Sequence, residues 1–516
     1  MFEKIKNKIF DKEKEVVKDN FKKDPQEYYL TTSLADNIQI FKEIFAKDDT
    51  VNFRSIENGS GSVKCCLIYI DGMVQDKIIN TDIMRPIMKC DIQNDIITNL
   101  ENKIINSGDI KRVSDISEMI APFLYGKSIL LIEGYAEGLV IGTIGWEHRS
   151  ISEPVSENVV KGPREGFTES MNVNLTLIRR KILNPDLKIE YKEIGTQTKT
   201  KVSIVYIDDI ANPKIVEEVH KRLDEIDIDG ILGSNYIDEL IKDAPYSPFD
   251  TIGSTERPDV VAGELLEGRI AIVVDGVSYV LTLPFIFVQY LQTNEDYYVS
   301  YYYGTFNRLL RLLAFFITTS VPAIYVALIT YHQELIPTPL VVSITAANEG
   351  TPFPSFFECT LLLLVFEILR EGGVRIPTPV GPAISIVGAL VLGEAAVSAR
   401  FFSAPMVIIV AISGITGLML PKMLSPLIYT RTILLILAGF LGLYGYMFGI
   451  IGLFIHLASI RSFGIPYLLH LGSLKGQDLQ DTAIRAPWWY MKLRPKLIAK
   501  RNQVRQGAQQ KAQKGR

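Results

Sequence analysis

Uncharged stretches approach the length of a bilayer crossing in one half of this chain and not in the other, and that asymmetry limits the fold more than any motif does. At roughly 1.5 Å of rise per residue a helical crossing needs about 20 apolar residues. Runs of that kind cover residues 312–331, 401–421 and 432–460, and shorter or glutamate-bearing runs cover 355–369 and 376–399. Before residue 303, charges recur every few positions. The expected fold is an α/β soluble N-terminal half of two subdomains plus an α-helical multi-pass transmembrane C-terminal half. The whole-chain figure of 47% hydrophobic residues hides this division.

Within the soluble half, residues 1–30 alternate lysine with acid and read as a charged lead-in, without the continuous apolar core of a signal peptide. Residues 31–150 form a first subdomain, with strands expected at 65–70, 128–132 and 139–144 and a helix at 114–124. Proline, glycine and alternating charge mark 151–167 as a linker. A second subdomain, 168–296, is expected to carry helices at 170–183, 213–226 and 236–242, a buried strand at 202–207, and a hairpin of 270–274 with 278–281 across Asp275-Gly276. Tyr297, Tyr298, Tyr301, Tyr302 and Tyr303 then suit an interfacial belt at the start of a membrane domain, 297–460.

Nine basic residues follow Pro487, so 461–516 reads as a basic cytoplasmic tail, with Trp488, Trp489 and Tyr490 as an aromatic anchor on an anionic leaflet. A cytoplasmic C-terminus with a cytoplasmic soluble half requires an even number of crossings. Four follow if 376–399 is re-entrant, which places Lys422 and Arg431 outside; a full crossing there gives five and an external tail. The four-crossing arrangement obeys the charge rule.

The net charge of −4 implies neither nucleic acid nor an acidic substrate. Cys65, Cys66, Cys90 and Cys359 contain no paired spacing for zinc or for a disulfide framework, and a reducing compartment is expected. His148, His220, His332, His456 and His470 are scattered, so no nucleophile–base pair is expected. Residues 121–128 match a loose phosphate-loop pattern, but helix precedes and strand follows, the reverse of what that motif needs. No enzymatic activity, metal or cofactor is expected. Glu358 and Glu367 fall on opposite faces of a helix, and Glu367 is placed to pair with Arg370.

Residues 376–399 carry the most functional information. Ser385, Ala389, Gly393 and Ala396 share one helical side, a small-residue face suited to close packing. Val387, Val391, Glu394 and Ser398 share the other, and in a symmetric oligomer they would form an apolar constriction followed by a carboxylate ring. The competing reading has the valines facing lipid and Glu394 paired with Arg400. Gly439, Gly442, Gly445, Gly449 and Gly452 make another small face, expected to serve helix packing.

Several blocks taken together resemble a known family. They are Gly162-Pro-Arg-Glu-Gly-Phe167, Leu177-Ile-Arg-Arg-Lys181, Arg257-Pro-Asp-Val-Val-Ala-Gly-Glu264 with Gly268-Arg-Ile-Ala-Ile-Val-Val-Asp-Gly276, Ile376-Pro-Thr-Pro-Val-Gly-Pro-Ala-Ile384 and Arg485-Ala-Pro487. In this order, over about Cys65 to Pro495, they resemble the GerA-family A subunit of endospore germinant receptors. The resemblance implies a spore inner-membrane protein that acts with a transporter-like B subunit, which binds the germinant, and a lipoprotein C subunit, and it implies homo-oligomerisation and ion release. A stage V sporulation paralogue aiding ion or dipicolinate release would share these blocks. A non-conducting membrane scaffold would keep the glycine faces but tolerate change at Val391 and Glu394. A secondary transporter would need repeated broken helices, and none is evident.

Overall fold

The computed structural model describes residues 29–505 except 92–94, 147–153, 155–156, 158, 376–392, 470–480, 483, 496 and 501. The first subdomain sets helix α1 (Leu34–Ile44) and helix α2 (Ile116–Leu124) on a five-stranded antiparallel sheet. Its strands are β1 (Val51–Glu57), β2 (Lys64–Ile70), β3 (Ile110–Val113), β4 (Ser128–Ile132) and β5 (Gly138–Ile141), in the order β1-β2-β4-β5-β3. The central strands β4 and β5 are buried on both faces, which is why they read as continuous apolar runs. Ser33 and Asp115 start the two helices by accepting the Asp36 and Ser117 amides.

The second subdomain repeats the first. Helix α3 (Met171–Lys181) precedes strands β6 (Leu187–Ile194) and β7 (Thr200–Ile207); helices α4 (Pro213–Asp224) and α5 (Ser234–Ile241) follow; then come β8 (Gly253–Thr255), helix α6 (Pro258–Leu265), β9 (Ile270–Val274) and β10 (Val280–Leu283). The sheet order β6-β7-β9-β10-β8 is that of the first sheet, and every pairing in both is antiparallel.

Hydrogen bonds repeat as well. Thr31 donates its amide to Asn37 Oδ1 (2.9 Å), and the Asn37 amide returns to the Thr31 carbonyl (2.7 Å); Thr168 and Asn174 do the same at 2.8 and 2.6 Å. The Leu34 amide donates to Glu133 Oε2 (3.0 Å) as the Met171 amide does to Asp275 Oδ1 (3.1 Å). Glu133 and Asp275 in turn donate their amides to the carbonyls of Lys64 and Lys201. The positions immediately after them, Gly134 and Gly276, have positive φ, as the β4–β5 and β9–β10 turns require.

A buried ion pair joins the repeats. Arg179 on α3 donates to Asp48 Oδ2 (2.7 Å) and Thr50 Oγ1 (3.1 Å), with the two ionic side chains 1% and 0% exposed. Beside it Ile189 and the 47–49 loop exchange backbone bonds, and the Asp49 carboxylate takes the Tyr191 amide at 2.7 Å. Of the expected linker, Phe167 is buried, and the Pro163 carbonyl accepts from Arg257.

The C-terminal half is a layer of helices: α7 (Tyr301–Tyr331), α8 (Thr338–Asn348), α9 (Ser355–Arg375), α10 (Ala404–Leu418) and α11 (Leu424–Ser459). Among the described residues two helices, Tyr301–Tyr331 and Pro421–Ser459, are by length and composition long and apolar enough to cross a membrane, fewer than the multi-pass expectation. The expected span at 401–421 shrinks to the 15 residues of α10, because Ser403 and Pro405 set its start and the chain turns at Met419-Leu420-Pro421.

The run at 432–460 is not one straight span either. Gly442 has φ 62° and ψ −145°, and the helix folds back there: a Cβ on Gly449 would meet Leu434, and one on Gly445 would strike the Leu437 carbonyl. In a straight helix those positions would lie more than about 10 Å apart. At the turn the Tyr331 hydroxyl donates to the Gly439 and Phe440 carbonyls, which have lost their helical partners.

Both arms of α11 begin or end beside the soluble half, where Leu427 and Leu457 share a buried cluster with Phe249, Phe287 and Phe315. Lys422 therefore lies next to the soluble half, in an ion pair with Glu157 (2.5 Å), and not on the opposite side as the four-crossing arrangement placed it. Arg431 is buried within the helical layer, donating to Glu367 Oε1 at 2.7 Å, and Glu367 also pairs with Arg370 at 2.5 Å.

Breaking the joint between the repeats leaves one buried charge unpaired. Arg179→Ala or Asp48→Ala should each cost about 3–5 kcal/mol. The double variant should cost less than the sum of the two, which a denaturant-melt double-mutant cycle on the purified protein will measure.

Candidate functional site

The base of α7 meets the soluble half at a buried network of charge. The turn 293–297 presents Asp296, whose carboxylate accepts from Arg308 Nε (3.1 Å) and from both terminal nitrogens of Arg311 (2.8 and 2.9 Å). Both arginines lie on α7, one turn apart, so a single helical face carries them. The Gly304 backbone packs against Asp296, where a Cβ would come 3.0 Å from its carbonyl oxygen. Arg308 reaches on to Asp481 Oδ1 (2.6 Å) and the Thr482 carbonyl, and the Tyr297 hydroxyl donates to Asp481 Oδ2 (2.5 Å). Burial pushes the Asp296 carboxyl up, but the hydrogen bonds and charge of Arg311 and then Arg308 outweigh it and hold the group below its ordinary range.

Three parts of the chain therefore meet at one point: the exit from the second repeat, the first long apolar helix and the segment that follows the last one. A cavity of about 680 Å³ opens beside it, walled by Arg257, Glu264, Tyr297, Arg311, Lys422 and Trp488 among others. Burial pushes the Glu264 carboxyl up, with Arg269 opposing. Returning from α11, the chain makes a small hairpin, β11 (Arg461–Ser462) with β12 (Ile465–Pro466), that closes one face of the second sheet: Ser462 donates to the Thr251 carbonyl, Phe463 stacks under Arg222, and Tyr467 donates to the Asp250 carbonyl. His456 Nε2 lies 3.0 Å from Ser247 Oγ at the same level.

Of the segment read as a basic tail, Arg494, Ile498, Ala499 and Arg505 lie on protein, and residues 506–516 lie outside the described ones. Arg494 is buried and donates to the carbonyls of Leu266 and Val504 (2.6 Å each), and Arg505 pairs with Glu267 (3.7 Å) and stacks on Trp488. Apolar Leu497-Ile498-Ala499 within the basic run was the sequence signal for this. The Asp296–Arg308–Asp481 network had no comparable signal, since its members are far apart in sequence. Of the tyrosine belt, Tyr302 and Tyr303 are exposed, Tyr301 packs on Trp489, and Tyr297 belongs to the charge network.

Of the residues proposed to line a pore or pack beside it, Ser385, Val387, Ala389 and Val391 lie outside the described residues. Gly393, Glu394, Ala396 and Ser398 lie on a helical stretch, 393–398, where Glu394 and Ser398 are exposed and Gly393 and Ala396 half-buried. Gly439 faces the Phe356 ring, Gly445 and Gly449 face the opposite arm of α11, Gly442 forms the turn, and Gly452 has open space around it. Glu358, buried at the other end of α9, accepts the Ser403 amide and so caps α10.

The fold is a two-repeat α/β unit fixed through buried ion pairs to a layer of helices, two of them long and apolar enough, among the described residues, to cross a membrane. The family model described as Bacillus/Clostridium GerA spore germination protein matches residues 39–497, and the chain belongs to that family. Spore germination protein KA of Bacillus subtilis (strain 168) is 42% identical over 487 residues, covering 93% of this chain and 90% of that one. Spore germination protein GerLA of Bacillus cereus is 35% identical over 468 residues, covering 89% and 95%. Among solved structures, the crystal structure of the N-terminal domain of the A subunit of the Bacillus megaterium spore germinant receptor GerK3 is 35% identical with a TM-score of 0.41, covering 51% of this chain and 98% of that one.

On α5, burial and then the charge of Asp250 push the Asp238 carboxyl up to about 6. Its folded value lies above the unfolded one, so stability is greatest below the unfolded pKa and falls as pH rises to about 6. Asp238→Asn should therefore raise the thermal midpoint of the second repeat above pH 6, by an amount equivalent to about 1–2 kcal/mol, and leave it unchanged at pH 4. Calorimetry of both proteins at the two pH values checks this.

Proposed function

We propose that this chain is the A subunit of a spore germinant receptor, an oligomeric protein of the spore inner membrane that couples nutrient sensing to ion release. The observation that carries this reading, beside family membership, is the Asp296–Arg308–Asp481 network. The network ties the exit of the second repeat to α7 by charge, beside the apolar contact of Phe287 with Phe315, and it also holds the segment following α11. By resemblance, its partners are a transporter-like B subunit, which binds the germinant, and a lipoprotein C subunit.

In this reading the helical layer crosses the membrane six times. Helix α7 leads away from the soluble half, and α9 returns, since Phe356 packs by Phe440 at the far turn while Glu367 meets Arg431 nearer the soluble side. Ser403 lies beside Glu358 at the far level while Arg375 ends α9 at the near one, and this reading counts one crossing between them, although residues 376–392 lie outside the described ones. Helix α10 and the two arms of α11 make three more. An even number keeps both termini on one side, with Arg375 and Lys422 there too, as the positive-inside rule favours for the cytoplasm. The arms, each about 25 Å long, are short and call for local thinning of the bilayer. The crossing at 376–399 is the proposed conduction path, lined in a homo-oligomer by Val387, Val391, Glu394 and Ser398; the exposure of Glu394 and Ser398 in the single chain supports this.

Two measurements test the reading. In intact cells a membrane-impermeant maleimide should label Leu335→Cys and Phe401→Cys but not Lys422→Cys; labelling of all three from outside would rule out the six-crossing path. Spores carrying Arg308→Ala should make the protein yet lose nutrient-triggered ion release, and a normal response would remove the network from the signalling route.

A further inference from the structure

The two repeats are closed differently. In the first, the chain runs on past β5, and Ile144 bridges Val74, just after β2. This lays the segment against Gly126, whose positive φ and missing Cβ leave room for the Met73 carbonyl and the Trp146 ring. In the second repeat the matching positions are Ala211 and Gly268, again with positive φ. The residues after β10 are not there, because they turn away toward α7. Ala499 fills the place: it bridges Ala211, and its Cα lies 3.1 Å from where a Gly268 Cβ would be.

Around this contact the strap is seated by specific bonds. The Asn212 amide donates to the Leu497 carbonyl (3.4 Å), and Asn502 Nδ2 donates to Asp209 (2.9 Å). Arg494 Nε reaches the Leu266 carbonyl at the C-terminal end of α6, where the helix dipole favours a cation. Ile498 and Ala499 are both 0% exposed.

We infer that the groove along Ala211 and Gly268 is a peptide-binding surface, and that residues 493–505 are an exchangeable segment that completes the second repeat from the far end of the chain. The partner it fits is a short extended peptide with a small residue opposite Gly268 and an arginine five positions before it. In the intact chain its own C-terminal segment is that occupant. Its release leaves Asp481 on Arg308 and frees only the part that lies across α6, so the groove is a separable contact between the soluble half and the end of the chain. This inference does not depend on the germination reading, because it is read on the purified protein.

The test uses the full chain. Ala499→Asp places a carboxylate against Gly268 and Ile210 and should expel the segment. A fluorescent peptide of sequence 493–505 should then bind the Ala499→Asp chain saturably, fail to bind the wild-type chain, whose groove is filled, and lose binding when Gly268→Val is added to block the groove. No binding to a folded Ala499→Asp chain, or binding that Gly268→Val does not affect, would overturn the inference. If Ala499→Asp does not fold, hydrogen exchange on the wild-type chain decides. Exchange at 497–500 and 211 as one unit ahead of β7 and β9 supports the inference, and exchange in a single step with those strands overturns it.

Discussion

The contact on which the rest of the structure depends is the burial of Asp296 between Arg308 and Arg311. An isolated carboxylate or guanidinium at that depth would cost several kcal/mol to desolvate. Here each charge is met by geometry that a small shift would spoil: Arg308 is 0% exposed and shared between Asp296 and Asp481. Buried pairs of this kind are weak evidence for stability but strong constraints on register. An apolar contact would let α7 slide by a fraction of a turn beneath the second repeat, and this one does not. The soluble half therefore has one allowed position on its helices, and the chain returning from α11 is held by the same charges.

The strands and helices of the soluble half were legible where one period dominates. The runs at 65–70, 128–132, 202–207 and 270–274 fall within strands β2, β4, β7 and β9, because burial on both faces leaves them apolar but for the small hydroxyls of Ser128 and Ser203. Strands β1 and β6 were not read, since half of each faces solvent and charged residues interrupt the pattern. The internal repeat was also legible in principle. Thr31, Ser33 and Asn37 recur as Thr168, Ser170 and Asn174 at the same spacing, and the asparagine folds the preceding threonine backbone in the same way each time. The signal is three polar residues at a helix start, which hydrophobic periodicity does not weigh.

In the helical half the limit was different. Composition marks which residues are apolar, but not where an apolar helix reverses. Gly442 is one of several glycines at near-helical spacing, and nothing local separates it from Gly439 or Gly445. What singles it out is tertiary: the Tyr331 hydroxyl supplies donors for the two carbonyls freed by the break, and small residues on both sides allow the arms to touch. Counting that run as one crossing left 376–399 to be read as re-entrant to keep the total even, and this placed Lys422 away from the soluble half. Topology drawn from charge bias is only as sound as the count of turns.

The basic C-terminal segment shows the same lesson from the charged side. Nine cations after Trp488 read as a surface for anionic lipid, since each such cation gains about 1 kcal/mol near a charged leaflet. That gain is screened and non-specific, whereas Arg494 finds the Leu266 carbonyl at the end of α6 and the Val504 carbonyl of its own segment in a buried site, where charge-assisted hydrogen bonds are roughly twice as strong as neutral ones. Ile498 and Ala499 add apolar burial that a lipid headgroup layer would not give them. The deciding quantity is the vacancy left when the second repeat sends its own continuation into the helical layer. The open ends of β7 and β9 and a positive-φ glycine left to water are an unfilled contact, and the chain fills it with residues far along the sequence because the residues after β10 turn away toward α7. Ile498 and Ala499 are thus bound to the second repeat by the same diversion that sends its continuation into the helical layer.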